Sequence, residues 1–264
     1  MIGIFDSGSG GLSVLREILR ILPKEKYVYY SDNANCPYGE KSVEFIRNRA
    51  REITRLLISK GAQIIVVACN TATAAAISVL REEFPVKFIG MEPAVKPAAP
   101  SSKTGVIGVL ATAGTLKASR YLNIKEMFGD GTKLAEHVGE GFVELVENGI
   151  LDGPEAEETV RKSVLPLVAA GADRIVLGCT HYPFLRKVIE RVAGPGVQVI
   201  DPAPAVARHL AEVMKQEGLL DHEYADVPAA AEIELIASGP ELPARRLLDT
   251  IISGHAGRQT ATKS

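Results

Sequence analysis

Cys69 and Cys179 close two runs written in the same frame. From Gly61 the chain reads G-A-Q-I-I-V-V-A-C-N-T, and from Gly171 it reads G-A-D-R-I-V-L-G-C-T-H. Each is a Gly-Ala turn, an apolar stretch of strand length, and a cysteine where a strand ends and a helix begins. A thiol there sits at a helix N-terminus, where the dipole and backbone donors are expected to lower its pKa from about 8.5. Thiolate is then a base and neutral thiol an acid near neutral pH. One such group from each half of a repeat suits proton removal from one face of a carbon and delivery to the other. Asn70, Thr71 and Thr180 add donors suited to a substrate carboxylate. His181 can shuttle a proton or orient the second thiol. A single cysteine ending an apolar run is ordinarily a small buried core residue; the pairing, and the Asn-Thr and Thr-His that follow, favour chemistry.

In open α/β sheets a ligand lies outside the carboxyl ends of the strands. Asp6-Ser7-Gly8-Ser9-Gly10-Gly11 falls at such an end, with glycines for tight turns and amides able to hold an anion. No Gly-Lys-Ser/Thr follows, and Ser13 breaks the dinucleotide spacing. A small carboxylate is therefore expected rather than a nucleotide. The plainer alternative is a turn in which Asp6 caps the loop amides. In the turn-rich loop 32–40, Tyr38 and Gly39 are expected to close over a ligand and Cys36 to be a bystander. Glu92 and Glu147 are the carboxylates to follow, although a solvated glutamate is equally expected at 147. Cys179-x-His181, joined by Cys69, has metal-ligand types but lacks the paired spacing of structural zinc. No metal is expected, and no lysine stands out as a Schiff-base former.

These groups need a scaffold, and the hydrophobic pattern supplies one. Apolar, β-rich runs at 2–5, 27–31, 64–68, 86–89, 105–110, 133–137, 174–177, 197–200 and 232–237 alternate with segments of helical periodicity. Unbroken apolar strands alternating with helices predict an α/β fold with mostly parallel sheets covered on both faces. The repeat extends beyond the cysteines: residues 2–7 correspond to 107–112, and 88–94 to 199–203, at offsets close to the 110 residues between the thiols. Two α/β domains follow, the first of residues 1–94 plus 207–254 and the second of 95–206. Residues 92–103 form the outward crossover and 201–206 the return. The small, polar stretch 255–264 is expected to be a disordered tail.

The formal charge of −2 carries no basic field for nucleic acid or anionic membrane. No apolar stretch reaches the ~18 residues of a membrane span, and with the first strand beginning at Ile2 no signal peptide is expected. Three cysteines fit a reducing cytoplasm better than a disulfide framework.

Asp6-Ser7-Gly8-Ser9-Gly10-Gly11, Pro37-Tyr38-Gly39, Cys69-Asn70-Thr71 and Gly178-Cys179-Thr180-His181, in this order, resemble the glutamate racemases. The resemblance runs from residue 1 to about 210. It implies two flavodoxin-like domains with the active site in the cleft between them. It also implies cofactor-independent interconversion of L- and D-glutamate, supplying D-glutamate for peptidoglycan, commonly by a homodimer. Cys69 and Cys179 become the two acid/bases, the first acting on D-glutamate and the second on L-glutamate. Asp6 would assist Cys69, and His181 with Glu147 would assist Cys179. Asp6, Ser7, Tyr38, Gly39, Asn70, Thr71, Thr180 and His181 would bind substrate. The chain departs from many members before residue 142, where it reads Val138-Gly139-Glu140-Gly141 in place of a Cys-Pro. Aspartate racemase is the near alternative, and His181 argues against it because those enzymes typically carry glutamate there. A Cys179–His181 hydrolase or a non-enzymatic amino-acid binding protein would leave the paired thiols unexplained.

Overall fold

The structure is a computed structural model that describes residues 1–128, 131–220 and 231–261, with side chains as far as Ser253. Each of the nine apolar runs forms a strand. In chain order the elements are β1 (Ile2–Asp6), α1 (Leu12–Ile21), β2 (Lys26–Ser31), α2 (Val43–Ser59), β3 (Ile64–Val67), α3 (Asn70–Glu83), β4 (Lys87–Ile89), α4 (Val95–Ala98), β5 (Val106–Ala111) and α5 (Ala113–Lys117). They continue with α6 (Ser119–Glu126), β6 (Lys133–Val138), α7 (Phe142–Glu147), α8 (Pro154–Ala169), β7 (Arg174–Gly178), α9 (Arg186–Ala193), β8 (Gln198–Ile200), α10 (Ala203–Gln216), β9 (Glu232–Ala237) and α11 (Leu242–Ala261).

Two sheets result, of order β4-β3-β1-β2-β9 and β6-β5-β7-β8, and every pairing is parallel. Read in the opposite sense, the second order is β8-β7-β5-β6, which matches β4-β3-β1-β2 strand for strand. The repeat holds at the level of packing. Gly3 in β1 is crowded by Ala62, Ile65 and Leu57, and Gly108 in β5 by Ala172, Ile175 and Leu167. Those neighbours correspond one to one at an offset of 110. The Gly-Ala turns have a backbone cause as well: Gly61 and Gly171 hold φ of +94° and +91°, where a side chain is strained. Strands β1, β3, β5 and β7 are almost wholly buried, as central parallel strands covered by helices must be.

β9 pairs along the whole of β2 and gives the stretch after Glu232 a place as the edge of the first sheet. Helix α10 packs on α1, so the chain returns to the first sheet soon after β8. Helix α11 carries the backbone to Ala261, so the stretch from His255 expected to be disordered is helical that far, and 262–264 lie outside the described residues. Among the described residues, no helix is long and apolar enough to cross a membrane.

The α1–α10 contact can be tested through Ile18, which is fully buried on α1. Ile18→Ala should cost about 2–5 kcal/mol, read as a lower urea midpoint at unchanged slope.

Candidate active site

The chemistry-bearing residues converge because both sheets present the carboxyl ends of their central strands to each other. Strand order reverses between β1 and β3 and between β5 and β7, the switch points where α/β sheets bind ligands. Asp6 and Ala111 end β1 and β5, and Cys69 and Cys179 follow the ends of β3 and β7. Hydrogen bonds cross the junction: Ser13 Oγ donates to the Thr180 carbonyl at 2.8 Å, and Thr180 Oγ1 to Asp6 Oδ2 at 3.3 Å.

Cys69 is the N-cap of α3, its Sγ accepting from the Ala72 amide at 3.4 Å and lying 3.8 Å from Ser7 Oγ. The expectation of a depressed thiol pKa is not met. Burial, and then the negative charge of Asp6, hold Cys69 well above the ordinary thiol range and outweigh the single amide. Asp6 is itself fully buried. Desolvation raises its pKa against the opposing pull of the His181 charge and the Gly11 and Ser7 amides. Its Oδ2 accepts from Gly11 N at 2.8 Å, so the capping role of Asp6 in the glycine loop is present.

Cys179 Sγ stands 3.8 Å from His181 Nδ1, and the other ring nitrogen, Nε2, donates to Glu147 Oε1 at 2.7 Å. Glu147, at the end of α7, thus belongs to the site despite the altered sequence ahead of that helix. The same Oε1 accepts from Ser9 N at 2.7 Å and Ser9 Oγ at 3.0 Å. The anion met by the glycine loop at Ser9 is therefore the protein's own carboxylate. The loop has to be glycine-rich for a steric reason: a Cβ on Gly8 would lie 2.4 Å from Glu147 Oε1, and one on Gly10 2.4 Å from His181 Nδ1. Burial alone would push the His181 pKa down, but hydrogen bonds to Cys179, Cys36 and Glu147 carry it well above its ordinary value. Glu147 moves the opposite way: desolvation raises its pKa, yet the hydrogen bond and charge of His181 and the Ser9 donors leave it lowered. The pair is imidazolium and carboxylate.

The remaining expected residues divide. Asn70 is buried with neither Oδ1 nor Nδ2 partnered, and Asp6 Oδ1 is unpartnered too. Such groups are costly in a protein interior unless a ligand satisfies them. Thr71 Oγ1 contacts Thr112 Oγ1 at 3.0 Å and Thr115 Oγ1 at 3.3 Å, forming a hydroxyl cluster across the cleft. Thr112 and Thr115 are absent from the sequence-based set. The repeat contained the signal for Thr112, since it aligns with Ser7. Gly39 lies against Thr112. The Tyr38 hydroxyl does not face it: it donates to Asp32 Oδ2 at 2.5 Å, and Arg49 binds both oxygens of that buried aspartate at 2.7 and 3.0 Å. Tyr38 therefore braces the 32–40 loop from within. Glu92 pairs with Arg120 in a separate cavity of about 330 Å³ that neither Cys69 nor Cys179 lines. Cys36, expected to be a bystander, lies with His181 and Glu147, the ligand atoms of all three within 4.8 Å of one another. The metal-capable cluster is thus not the Cys69, Cys179 and His181 set considered from spacing.

A family profile described as Asp/Glu/Hydantoin racemase matches residues 2–210. The chain belongs to the Asp/Glu/hydantoin racemase family. It is 48% identical to a glutamate racemase of Methylococcus capsulatus over 257 residues, which is 96% of this chain and 92% of that protein. Among solved structures, the glutamate racemase isoform RacE1 of Bacillus anthracis superposes with a TM-score of 0.84 at 32% identity, covering 96% of this chain and 94% of that one. The Escherichia coli glutamate racemase, solved with L-glutamate and the activator UDP-MurNAc-ala, gives 0.81 at 32% identity, covering 96% and 93%. Two all-parallel sheets meeting at their switch points are thus the Asp/Glu/hydantoin racemase fold in this chain.

The ion pair makes a pH prediction. A raised histidine pKa stabilises the fold fully below the unfolded value of about 6.5, and the contribution is lost as pH rises through the folded value. Glu147→Gln should therefore lower the His181 titration midpoint, followed by imidazole NMR, and shift that loss of stability toward neutral pH.

Proposed function

We propose that the chain interconverts L- and D-glutamate without a cofactor, Cys69 and Cys179 acting as paired thiol acid and base on opposite faces of the α-carbon. The reading is supported above all by one observation: the two thiols end equivalent strands of a structural repeat, and each has a charged partner from a different source, Asp6 for Cys69 and the His181–Glu147 pair for Cys179. The names and bound glutamate of the relatives supply the substrate. His181, where the aspartate enzymes typically carry glutamate, favours glutamate over aspartate.

In the proposed reaction one cysteine enters as thiolate and takes the α-proton, and the other, as thiol, returns a proton to the opposite face. Cys69 acts on D-glutamate and Cys179 on L-glutamate. Burial keeps Cys69 in its thiol form, so its proton must pass to Asp6 before it acts as base. His181 Nδ1, 3.8 Å from Cys179 Sγ, is placed to exchange a proton with that thiol. Removing an amino acid's α-proton puts charge on the α-carboxylate, and the buried Asn70 amide supplies a donor for it. The Thr71, Thr112 and Thr115 hydroxyls offer donors for the side-chain carboxylate, with Ser7, Gly39 and Thr180 completing the walls. Both thiols are nearly inaccessible, at 5% and 8% exposure. Substrate must therefore enter as the two halves part, and their closing expels water from the reacting groups. The proposal takes residues 1–94 with 207–254 as one moving half and 95–206 as the other. It extends, on resemblance alone, to a cytoplasmic homodimer supplying D-glutamate for peptidoglycan.

Incubating L-glutamate with the protein in D₂O, without added pyridoxal phosphate or metal, should give α-deuteration together with loss of optical activity. Cys69→Ala and Cys179→Ala should each abolish racemisation with the circular dichroism of the fold retained. Near-normal turnover by either variant would overturn the two-thiol scheme. Asn70→Ala should lose the hydrogen bond to a charged group, about 1.5–3 kcal/mol, or roughly 10- to 150-fold in kcat/KM.

A further inference from the structure

Cys36 is the one thiol that the proposed proton transfer does not use, and it stands in a preformed donor set. Its Sγ, an oxygen of Glu147 and a ring nitrogen of His181 come from three distant segments and lie within 4.8 Å of one another. All three close over Gly8: a Cβ built there would be 2.4 Å from Glu147 Oε1, 3.0 Å from Cys36 Sγ and 3.2 Å from His181 Nε2. On tetrahedral zinc, bonds of about 2.0–2.3 Å place neighbouring ligand atoms roughly 3.4–3.7 Å apart. The set needs only a small adjustment to reach that spacing. The main change is to open the 2.7 Å His181–Glu147 hydrogen bond and replace it with two bonds to one ion.

We propose that Cys36, Glu147 and His181 form a binding site for a thiophilic divalent cation, zinc or cadmium in class, whose occupancy shuts the active site reversibly. The supporting contacts are those such a site requires. Ser9 N and Oγ both donate to Glu147 Oε1 and fix the carboxylate. The Nδ1 side of His181 faces Cys179, so coordination through Nε2 leaves an Nδ1–H with a partner and a defined tautomer. Thiolate and carboxylate together neutralise a doubly charged ion. The sulfur ligand selects against magnesium and calcium, which take oxygen donors. Binding forms bonds from the ion to sulfur, oxygen and nitrogen; the protons of the Cys36 thiol and of His181 Nε2 pass to water, and no redox step is involved. The fourth position stays open to water. With Nε2 and the carboxylate both held by the ion, the His181–Glu147 hydrogen bond that orients the ring against Cys179 is gone, and His181 is no longer available to the second thiol.

The inhibitory consequence rests on the racemase reading, but binding does not, so the two can fail separately. Full-length protein kept reduced with a phosphine is titrated with Cd²⁺ while thiolate-to-cadmium charge-transfer absorption is followed in the ultraviolet. The expected result is one ion and one thiolate per chain. The signal should persist in a Cys69→Ser, Cys179→Ser double variant. Loss of an outer-shell partner alone weakens metal binding roughly 10- to 100-fold, so loss of the thiolate ligand in Cys36→Ser should cost at least about 100-fold. Glu147→Gln should weaken binding too, which keeps the test decisive if Cys36→Ser folds poorly. In turnover assays Zn²⁺ should inhibit the wild type, a chelator should restore it, and Cys36→Ser should resist. Absence of Cd²⁺ binding, binding unchanged in Cys36→Ser, or a signal lost only with Cys69 and Cys179 would each overturn the proposal. An intact cadmium signal without deuterium exchange into glutamate would instead sink the racemase reading and leave the metal site standing.

Discussion

A buried imidazolium held against a half-buried carboxylate is the constraint from which the rest of the site follows. His181 comes from the turn after β7, Glu147 from the end of α7, and the donors that satisfy the carboxylate from Ser9 in the other half of the molecule. A charged His181 is not tolerable alone at its depth. The glycine loop can close onto the pair only because residues 8 and 10 lack side chains. The glycine loop is thus a fitted surface, shaped by the groups it receives from across the cleft.

The hydroxyl contacts across the cleft have a different character. Thr71, Thr112 and Thr115 meet through hydroxyls, and Ser13 meets Thr180 through one hydrogen bond. Such bonds are each worth about 0.5–1.5 kcal/mol net, because water replaces them on opening. The interior of each half is by contrast a set of fully buried aliphatic strands. The opening proposed for substrate entry would break these hydroxyl contacts.

Much of this was legible in the sequence, for identifiable reasons. Central parallel strands are buried on both faces, so they read as unbroken apolar runs, and all nine were visible. The repeat was visible because Gly3 and Gly108, and Gly61 and Gly171, answer to close approach and backbone conformation, which leave little choice of residue. Two kinds of information were not legible. The direction of a side chain within a loop escaped, so Tyr38 was expected to face a ligand when its hydroxyl serves Asp32. Convergence of remote segments also escaped: Cys36 has no motif around it that predicts His181 as a neighbour. The thiol pKa was misjudged because the expectation weighed the helix terminus and left out burial and the charge of Asp6, which prevail.

The repeat places the two thiols in corresponding positions, but it does not copy their surroundings. Asp6 aligns with Ala111, Ser7 with Thr112, Asn70 with Thr180 and Thr71 with His181. The first half holds its carboxylate at a strand end; the second has alanine there and recruits Glu147 from a helix instead. A catalyst of interconversion between mirror-image molecules has no equilibrium preference to enforce, since their free energies in water are equal. Near-symmetry suits that task, and the handedness of the protein is confined to a few unmatched side chains. On the proposed two-thiol mechanism, those four positions are where the two directions of the reaction acquire separate rates, and where a lineage could retune one direction's saturation behaviour while the equilibrium constant stayed at unity.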